Sequence, residues 1–448
     1  MHTERPPTLK ELFDNATMDA ITRVRALQDR VADLQAEYRP WHKVKYIASE
    51  RGIDPKDAWF AVKLRRPWTE LPFRQAGGNP FHWCGGNHLI EPLHRIDIAV
   101  GGGGASSLHA PDGVLSSPEH RARLQIRTMM DEAAESSIIE GAATTRKAAV
   151  EMLRSQRPPR STGERMVVNN YLGMQFIKRK LREDLTPELL LELQGILTEG
   201  TLKDAGESRR WRRPDENVNV VDVRTEDVIH TPPHADELPE RVRMLCGFAN
   251  QRHEGSNFIH PIVKASILHF MMGYDHPFVD GNGRTARAVF YWAAIRAGYW
   301  PFEFMPISER IRAGASRYPQ AYLDSELDEG DLTYFIVYKL DIIEQSLDLF
   351  ARRLRREEEK IRQADLLIKV SKKLNLRQRL LLQHALRRPS TRYTRLSHKT
   401  SNGISLNTAA TDLEGLVRLR LMAKISDGNE LVYVPSPNLR ARLAKHGM

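Results

Sequence analysis

HPFVDGNGRTAR, residues 276–287, is the stretch on which the reading of this chain turns. It packs a histidine, an aspartate, a Gly-Asn-Gly turn and two arginines into twelve positions. An apolar helical pattern, FIHPIVKASILHFMMGYD, runs into it, and helical pattern resumes from Arg284 to Arg296, so PFVDGNG is expected as the turn between two helices. Gly281 and Gly283 let a backbone approach an anion without a Cβ in the way. The free N–H groups that open the next helix face that anion with the favourable end of the dipole. Arg284 and Arg287 lie three apart, so both guanidiniums can meet one phosphate chain. Asp280 offers a hard oxygen to Mg²⁺, which binds through one or two carboxylates plus substrate phosphates. His276, with an ordinary pKa near 6.5, is suited to take a proton from an incoming hydroxyl. Phe278 is expected to turn into the core. The bland alternative is a glycine-rich surface loop between helices.

Working outward, the centre of the chain reads as a helical bundle with one inserted hairpin. Helical pattern covers Pro118–Met152, broken at Glu140-Gly141 where glycine suits a C-cap, then Met166–Arg182, Pro187–Glu199, Leu238–Asn250 and His260–Asp275. VNVVDVRTEDVIHTPP, Val218–Pro233, has short β-branched runs around a polar turn, as a hairpin does. Upstream, Ile21, Val24, Leu27, Val31 and Leu34 predict one amphipathic helix over residues 8 to about 38. A helical patch, DPKDAWFAVKLRR, and a looser stretch rich in Gly, Pro and His follow. AVGGGGASS, Ala99–Ser107, reads as a linker, since no Gly-Lys-Ser/Thr follows to make it a phosphate loop. His82, Cys84, His88 and His94 fall within thirteen residues, but their spacing matches no usual zinc pattern.

At 448 residues a multidomain chain is expected, and no apolar run approaches the roughly 18 residues of a membrane span. The N-terminus carries no apolar segment of the secretory kind, and two cysteines fit a reducing cytoplasm. Net charge is +10, but residues 351–448 hold 22 basic against 8 acidic side chains, so the whole excess is C-terminal. A basic unit on a near-neutral body suggests contact with a polyanion, most simply nucleic acid; a solvated basic helical surface is the alternative.

The motif resembles, position for position, the HxFx(D/E)GNGRxxR signature of Fic-domain proteins, most of which transfer AMP from ATP to a protein hydroxyl. The resemblance implies that His276 is the base, that Asp280 is the magnesium ligand, that Gly281, Asn282 and Gly283 cradle the anion, and that Arg284 and Arg287 bind phosphate. The hairpin resembles the family's flap, where Val218, Val220, Val228 and Ile229 would hold the target segment as an added strand; a structural lid is the alternative. Ser136, Glu140 and Gly141, in SSIIEG, fit the family's inhibitory motif (S/T)xxxE(G/N). By that resemblance Glu140 pairs with Arg287 and takes the place that the ATP γ-phosphate needs.

Beyond a charged helix at residues 351–366, LNLRQRLLLQHALRRP, a Ser405-capped helix and an Asp427-Gly428 hairpin look like a winged helix-turn-helix. Asn407, Thr408 and Thr411 would then open its recognition helix. The expectation is a mainly α chain: an N-terminal helical region and linker over 1–110, a Fic bundle with its flap over 111–350, and a linker helix and winged unit over 351–448. The expected function is autoinhibited AMP transfer from ATP, with Mg²⁺, to a Ser, Thr or Tyr hydroxyl of a target protein or of the chain itself. DNA and a second copy of the chain are further candidate partners, and a membrane is not. A nucleotide-sensing transcription regulator and an enzyme that removes AMP through the same site are the alternatives.

Overall fold

The computed structural model describes residues 1, 3–15, 17–101, 115, 118–221, 226–367, 374–427 and 430–445. The fold is mainly α. The N-terminal part comprises α1 (Leu9–Asp14), α2 (Met18–Leu27), α3 (Ala32–Ala36), α4 (Trp41–Glu50) and α5 (Pro55–Lys63), then a hairpin of β1 (Thr69–Arg74) and β2 (Pro80–Trp83), then α6 (Asn87–Gly101). The central part runs through α7 (Pro118–Ile139), α8 (Arg146–Ser155), α9 (Thr162–Arg179) and α10 (Pro187–Thr198) to the hairpin β3 (Val220–Val221) and β4 (Val228–His230). It continues with α11 (Leu238–Asn250), α12 (Pro261–Asp275), α13 (Asn282–Arg296), α14 (Ile307–Ala313), α15 (Arg317–Leu327) and the long α16 (Thr333–Leu367). The C-terminal part holds α17 (Leu376–Arg387), α18 (Arg395–Asn402), α19 (Leu406–Arg418), the antiparallel pair β5 (Met422–Asp427) and β6 (Glu430–Pro435), and α20 (Leu439–Lys445).

Helices α12 and α13 lie at the centre of the largest core. Ile262, Leu268, Phe270, Phe278, Phe290 and Trp292 are all sealed there, with α9, α10, α11 and α16 around them. Because both helices are buried nearly all round, their connecting turn is held from every side, which is what a precisely placed site requires. A smaller core of Val24, Val31, Leu34, Trp41, Val44 and Trp59 forms the N-terminal part, and Leu382, Leu413, Leu416 and Tyr433 form another in the C-terminal part.

The single helix expected over residues 8 to 38 is three. Thr8 and Thr17 each cap a new start, accepting from Glu11 N and Ala20 N, and Tyr38 ends the run at φ 49°. Val24, Val31 and Leu34 are buried as the apolar spacing required, but Ile21 is exposed. Periodicity is blind to capping hydroxyls that interrupt it. The β1–β2 hairpin and α20 had no sequence signal of their own. The charged segment at 351–366 is the outer half of α16, continuous with the core. Of the linker read at Ala99–Ser107, Ala99 to Gly101 end α6 and the rest lies outside the described residues, as does Gly428 of the C-terminal turn.

The histidines and cysteine at 82–94 do not assemble a metal site. His88 Nε2 meets the Cys84 carbonyl at 3.1 Å, and the His82 backbone pairs with Gly330 and Leu332. Among the described residues no group of three His, Cys, Asp or Glu side chains is placed to hold a metal ion.

A buried polar network joins the first 66 residues to the start of α16. Lys63 Nζ donates to Asp328 at 2.8 Å, Tyr38 Oη donates to Asp331 at 2.5 Å, and the Arg66 guanidinium lies 4.0 Å from the Tyr38 ring centre while donating to Tyr334 Oη. Lys63 and Asp328 side chains are each 3% exposed. Removing one partner of such a pair leaves a charge without compensation in a dry interior. Lys63→Met is therefore expected to lower stability by roughly 3–5 kcal/mol. Denaturant unfolding followed by tryptophan fluorescence measures it, and a change within error would mean that the network contributes little.

Candidate functional site

The turn between α12 and α13 is tightly specified. His276 caps α12 in the left-handed conformation, φ 44°, and Gly281 precedes α13 at φ 90°. Asn282 clasps the loop: its Oδ1 accepts from Phe278 N at 2.9 Å and its Nδ2 donates to Phe278 O at 2.8 Å. Phe278 is fully buried and stacks on Trp211, as expected of it. Helix α13 thus opens at Asn282, two residues before Arg284. The loop, with Asn282 holding its shape, places the Gly-Asn-Gly segment at the positive end of the helix dipole.

The Arg212 side chain binds the end of α12. Its Nε donates to His276 O at 2.9 Å, its Nη2 donates to Asp275 O at 3.3 Å and to Pro233 O, and its own backbone N donates to Pro277 O at 2.9 Å. The Asp275 and His276 carbonyls are ones that the helix end leaves unsatisfied, so a buried guanidinium fixes the backbone of His276. Nothing in the run RRWRRP distinguished Arg212 from its neighbours, because its role comes from tertiary packing.

His276 Nδ1 donates to Gly273 O at 3.1 Å, which leaves Nε2 as the lone-pair nitrogen. Burial pushes its pKa down to about 4, with the Gly273 hydrogen bond opposing and the nearby His230 and Arg212 adding to the fall. The ring is neutral at physiological pH and competent to accept a proton.

Both motif arginines are sealed. Arg284 Nη1 donates to Leu197 O at 2.7 Å and Nη2 to Asp280 Oδ2 at 3.0 Å. Asp280, 47% exposed in its side chain, also accepts from Gly281 N at 2.6 Å. Arg287 Nε donates to Ser136 Oγ at 2.7 Å, and its Nη2 donates to Ser136 O at 3.1 Å and to Glu140 Oε1 at 2.9 Å. Arg284 Nε and Arg287 Nη1 have no partner among the described residues. Two buried guanidinium N–H groups without acceptors beside a helix N-terminus suit an anion.

Ser136 and Glu140 reach Arg287 from the far end of α7, 147 or more positions away in sequence. Gly141, φ 87°, ends that helix in a Schellman turn, with Gly141 N donating to Ile138 O and Ala142 N to Ser137 O. The turn aims the Glu140 carboxylate across the site. A Cβ built on Gly283 would collide with Glu140 Oε1, so the carboxylate sits directly over the glycine in the first turn of α13.

A cavity of about 170 Å³ is lined by Glu140, His276, Gly283, Val220, Ile229, His230, Tyr318, Tyr322 and Glu326. Of the four hairpin residues singled out from sequence, Val220 and Ile229 line it. Val228 is exposed, and Val218 precedes β3. Residues 222–225 of that hairpin lie outside the described ones. His230, Tyr318, Tyr322 and Glu326 were not anticipated, since isolated aromatic and titratable residues carry no spacing signal. In the C-terminal part, Asn407 and Thr411 are exposed on the first turns of α19, whereas Thr408 joins the Ser405 cap, 2.8 Å between hydroxyls.

Residues 184–294 match the Fic/DOC family. The matched segment holds α10 to α12, most of α13 and the β3–β4 hairpin, and therefore His276 to Arg287, but Ser136 and Glu140 precede it. Similar proteins include the protein adenylyltransferase Fic of Drosophila virilis, 30% identical over 185 residues that make up 41% of this chain and 34% of that protein. The protein of the same name from Drosophila melanogaster is 31% identical over 182 residues, 40% of this chain and 32% of that one. The chain thus spans about a third of the length of these relatives. Among solved structures, a Fic family protein from Desulfovibrio desulfuricans G20 aligns with 80% of this chain and 98% of its own at 16% identity and TM-score 0.48. Fic-1 from C. elegans aligns with 58% of this chain and 70% of its own at 20% identity and TM-score 0.45.

His276 supplies a direct check of the site. Its folded pKa lies below the ordinary value, so the unfolded chain binds the proton first. This group therefore withdraws stability as pH falls from about 6.5 to about 4 and contributes nothing above that window. In a histidine-labelled NMR titration, the His276 ring should stay neutral down to pH 5. A midpoint near 6.5 would mean that the ring is open to water.

Proposed function

We propose that this chain transfers AMP from ATP to a protein hydroxyl and that Glu140 holds the activity in check. The observation that carries this reading is the Arg287–Glu140 pair seated over Gly283, which supports a carboxylate that competes with a terminal phosphate at the mouth of α13. The adenylyltransferase activity for which the relatives are named and the match of residues 184–294 to the Fic/DOC family support it.

In the proposed reaction His276 Nε2 takes the proton of the acceptor Ser, Thr or Tyr hydroxyl, and the freed oxygen attacks the α-phosphorus. An O–P bond forms to the acceptor, the bond between the α- and β-phosphates breaks, and pyrophosphate leaves with the electron pair. Arg284 and Arg287 bind the phosphates, with the α13 N-terminus opposing their charge. Asp280 is the exposed carboxylate that would hold Mg²⁺, an ion that neutralises phosphate charge when bound. Val220 and Ile229 on the hairpin border the cavity, in a position to align an extended target segment.

A second reading keeps the site and reverses the direction. Glu140 and His276 line one cavity, so a water held by Glu140 could hydrolyse AMP from a modified protein. For the C-terminal unit, the order α17, α18, capped α19 and β5–β6 supports a winged helix-turn-helix, and the exposed Asn407 and Thr411 together with the local positive charge support DNA contact.

α-labelled ATP with Mg²⁺ separates these readings. A charge-assisted pair typically contributes about 1.5–3 kcal/mol, so Glu140→Gly should raise labelling of protein roughly ten- to a hundredfold, and His276→Ala should abolish the rise. Loss of label from modified protein, dependent on Glu140, would instead favour removal. Neither gain nor loss with a lysate as acceptor would defeat both. For DNA, retardation of a duplex by the full chain should weaken steeply from low to moderate salt; binding indifferent to salt would point to a protein partner.

A further inference from the structure

The β4 strand ends on a histidine with two acceptors. His230 Nδ1 lies 2.7 Å from Glu326 Oε2 on α15, and Nε2 lies 2.7 Å from the Tyr274 carbonyl at the end of α12. With Glu326 ionised, neither of these oxygens can donate: one belongs to a carboxylate and the other to a peptide. A neutral imidazole has one N–H, so two such contacts at this length require both ring nitrogens to be protonated. The pair is enclosed, with side chains 8% exposed for His230 and 19% for Glu326. The Tyr274 carbonyl is two residues from His276, and the neighbouring Ile229 lines the cavity that His276 lines.

We propose that His230 is a positioning residue: as an imidazolium bridging Glu326 and the Tyr274 carbonyl, it pins β4 to the end of α12 and so sets the register between a docked acceptor segment and the base His276. That part in transfer rests on the function proposed above. The hairpin needs such a tie, because among the described residues β3 and β4 pair through just Val220 with His230 and Val221 with Val228, and a two-stranded ribbon is marginal alone. Strands differing in register by one residue present opposite faces, so a free β4 would misplace the acceptor.

The groups around His230 are Glu326, Tyr318 and Tyr322 from α15, Tyr274, Asp275 and His276 from α12, and Glu140 across the same cavity, with Arg212 bonded to the Asp275 and His276 carbonyls. Burial disfavours the charged ring, but Glu326, the Tyr274 carbonyl and Asp275 outweigh it, and the pKa of His230 is raised. The tie is therefore complete below about pH 6.5 and is lost as pH rises through the raised value. The same charge discourages protonation of His276, which keeps the base available.

Histidine-selective ¹⁵N NMR of the full chain tests the bridge, with His230→Asn identifying the resonance. Two protonated ring nitrogens are expected at pH 6.5, and Glu326→Gln should lower the midpoint. Amide exchange at Val228, Ile229 and His230 should rise about tenfold in both Glu326→Gln and His230→Asn, the size of effect expected for one lost charge-assisted bond. In a Glu140→Gly background, AMP transfer should fall on the alkaline side with the His230 midpoint, and Glu326→Gln should move that fall to lower pH by the same amount. A single protonated ring nitrogen at pH 6.5, unchanged exchange in both variants, or an alkaline limb that ignores Glu326→Gln would overturn the proposal. A chain that transfers no AMP at all would sink the functional reading, and ring protonation and exchange would then decide the bridge alone.

Discussion

A guanidinium that is 1% exposed cannot be left without partners, and the arrangement around Arg287 follows from that constraint. Its Nε and Nη2 donate to Ser136 and Glu140, so the end of α7 is held against the first turns of α13. Helix α7 is seated there by buried acidic side chains that find partners, alongside the apolar packing of Met130, Ala133 and Ala134. Glu132 accepts from Tyr291 Oη and from the Ser308 backbone and hydroxyl, Glu135 pairs with Arg312, and Asp131 pairs with Arg146. A helix seated by so many directional contacts is positioned more sharply than one seated by apolar packing alone.

The sequence was most legible where chemistry demands unusual residues close together. The motif His276 to Arg287 could be read directly, because glycine, carboxylate and guanidinium at fixed spacing have few other uses. The Glu140–Arg287 pair was foreseen by resemblance alone; spacing within α7 could not show that Ser136 and Glu140 face a helix 150 residues downstream. Arg212, His230 and Glu326 were invisible because each is isolated in sequence and acquires its role from elements that meet only in three dimensions. At the N-terminus, a correct apolar period coexisted with a wrong helix count, since the caps at Thr8 and Thr17 leave the burial of Val24 and Leu34 unchanged.

The C-terminal unit does not stand apart from this site. Helix α18 packs on α7 and α8, a Cβ on Gly403 would lie 2.9 Å from Ile126 Cδ1, and Arg377 pairs with Glu119 at 3.1 Å near the start of α7. Any ligand of that unit that distinguishes two settings of α7 is, by reciprocity of linked equilibria, an effector of what Arg287 can bind.

The network of Lys63, Arg66, Tyr38, Asp328 and Asp331 carries a consequence for synthesis. Its two halves are 265 residues apart between Lys63 and Asp328, and ribosomes add about 5–20 residues each second, so the cations wait for their carboxylates for roughly 13–50 seconds. Throughout that interval the N-terminal helices must keep Lys63 and Arg66 in water. Helix α15, which ends beside Asp328 and supplies Tyr318, Tyr322 and Glu326 to the cavity wall, gains its brace only when the oldest part of the nascent chain folds back onto its newest.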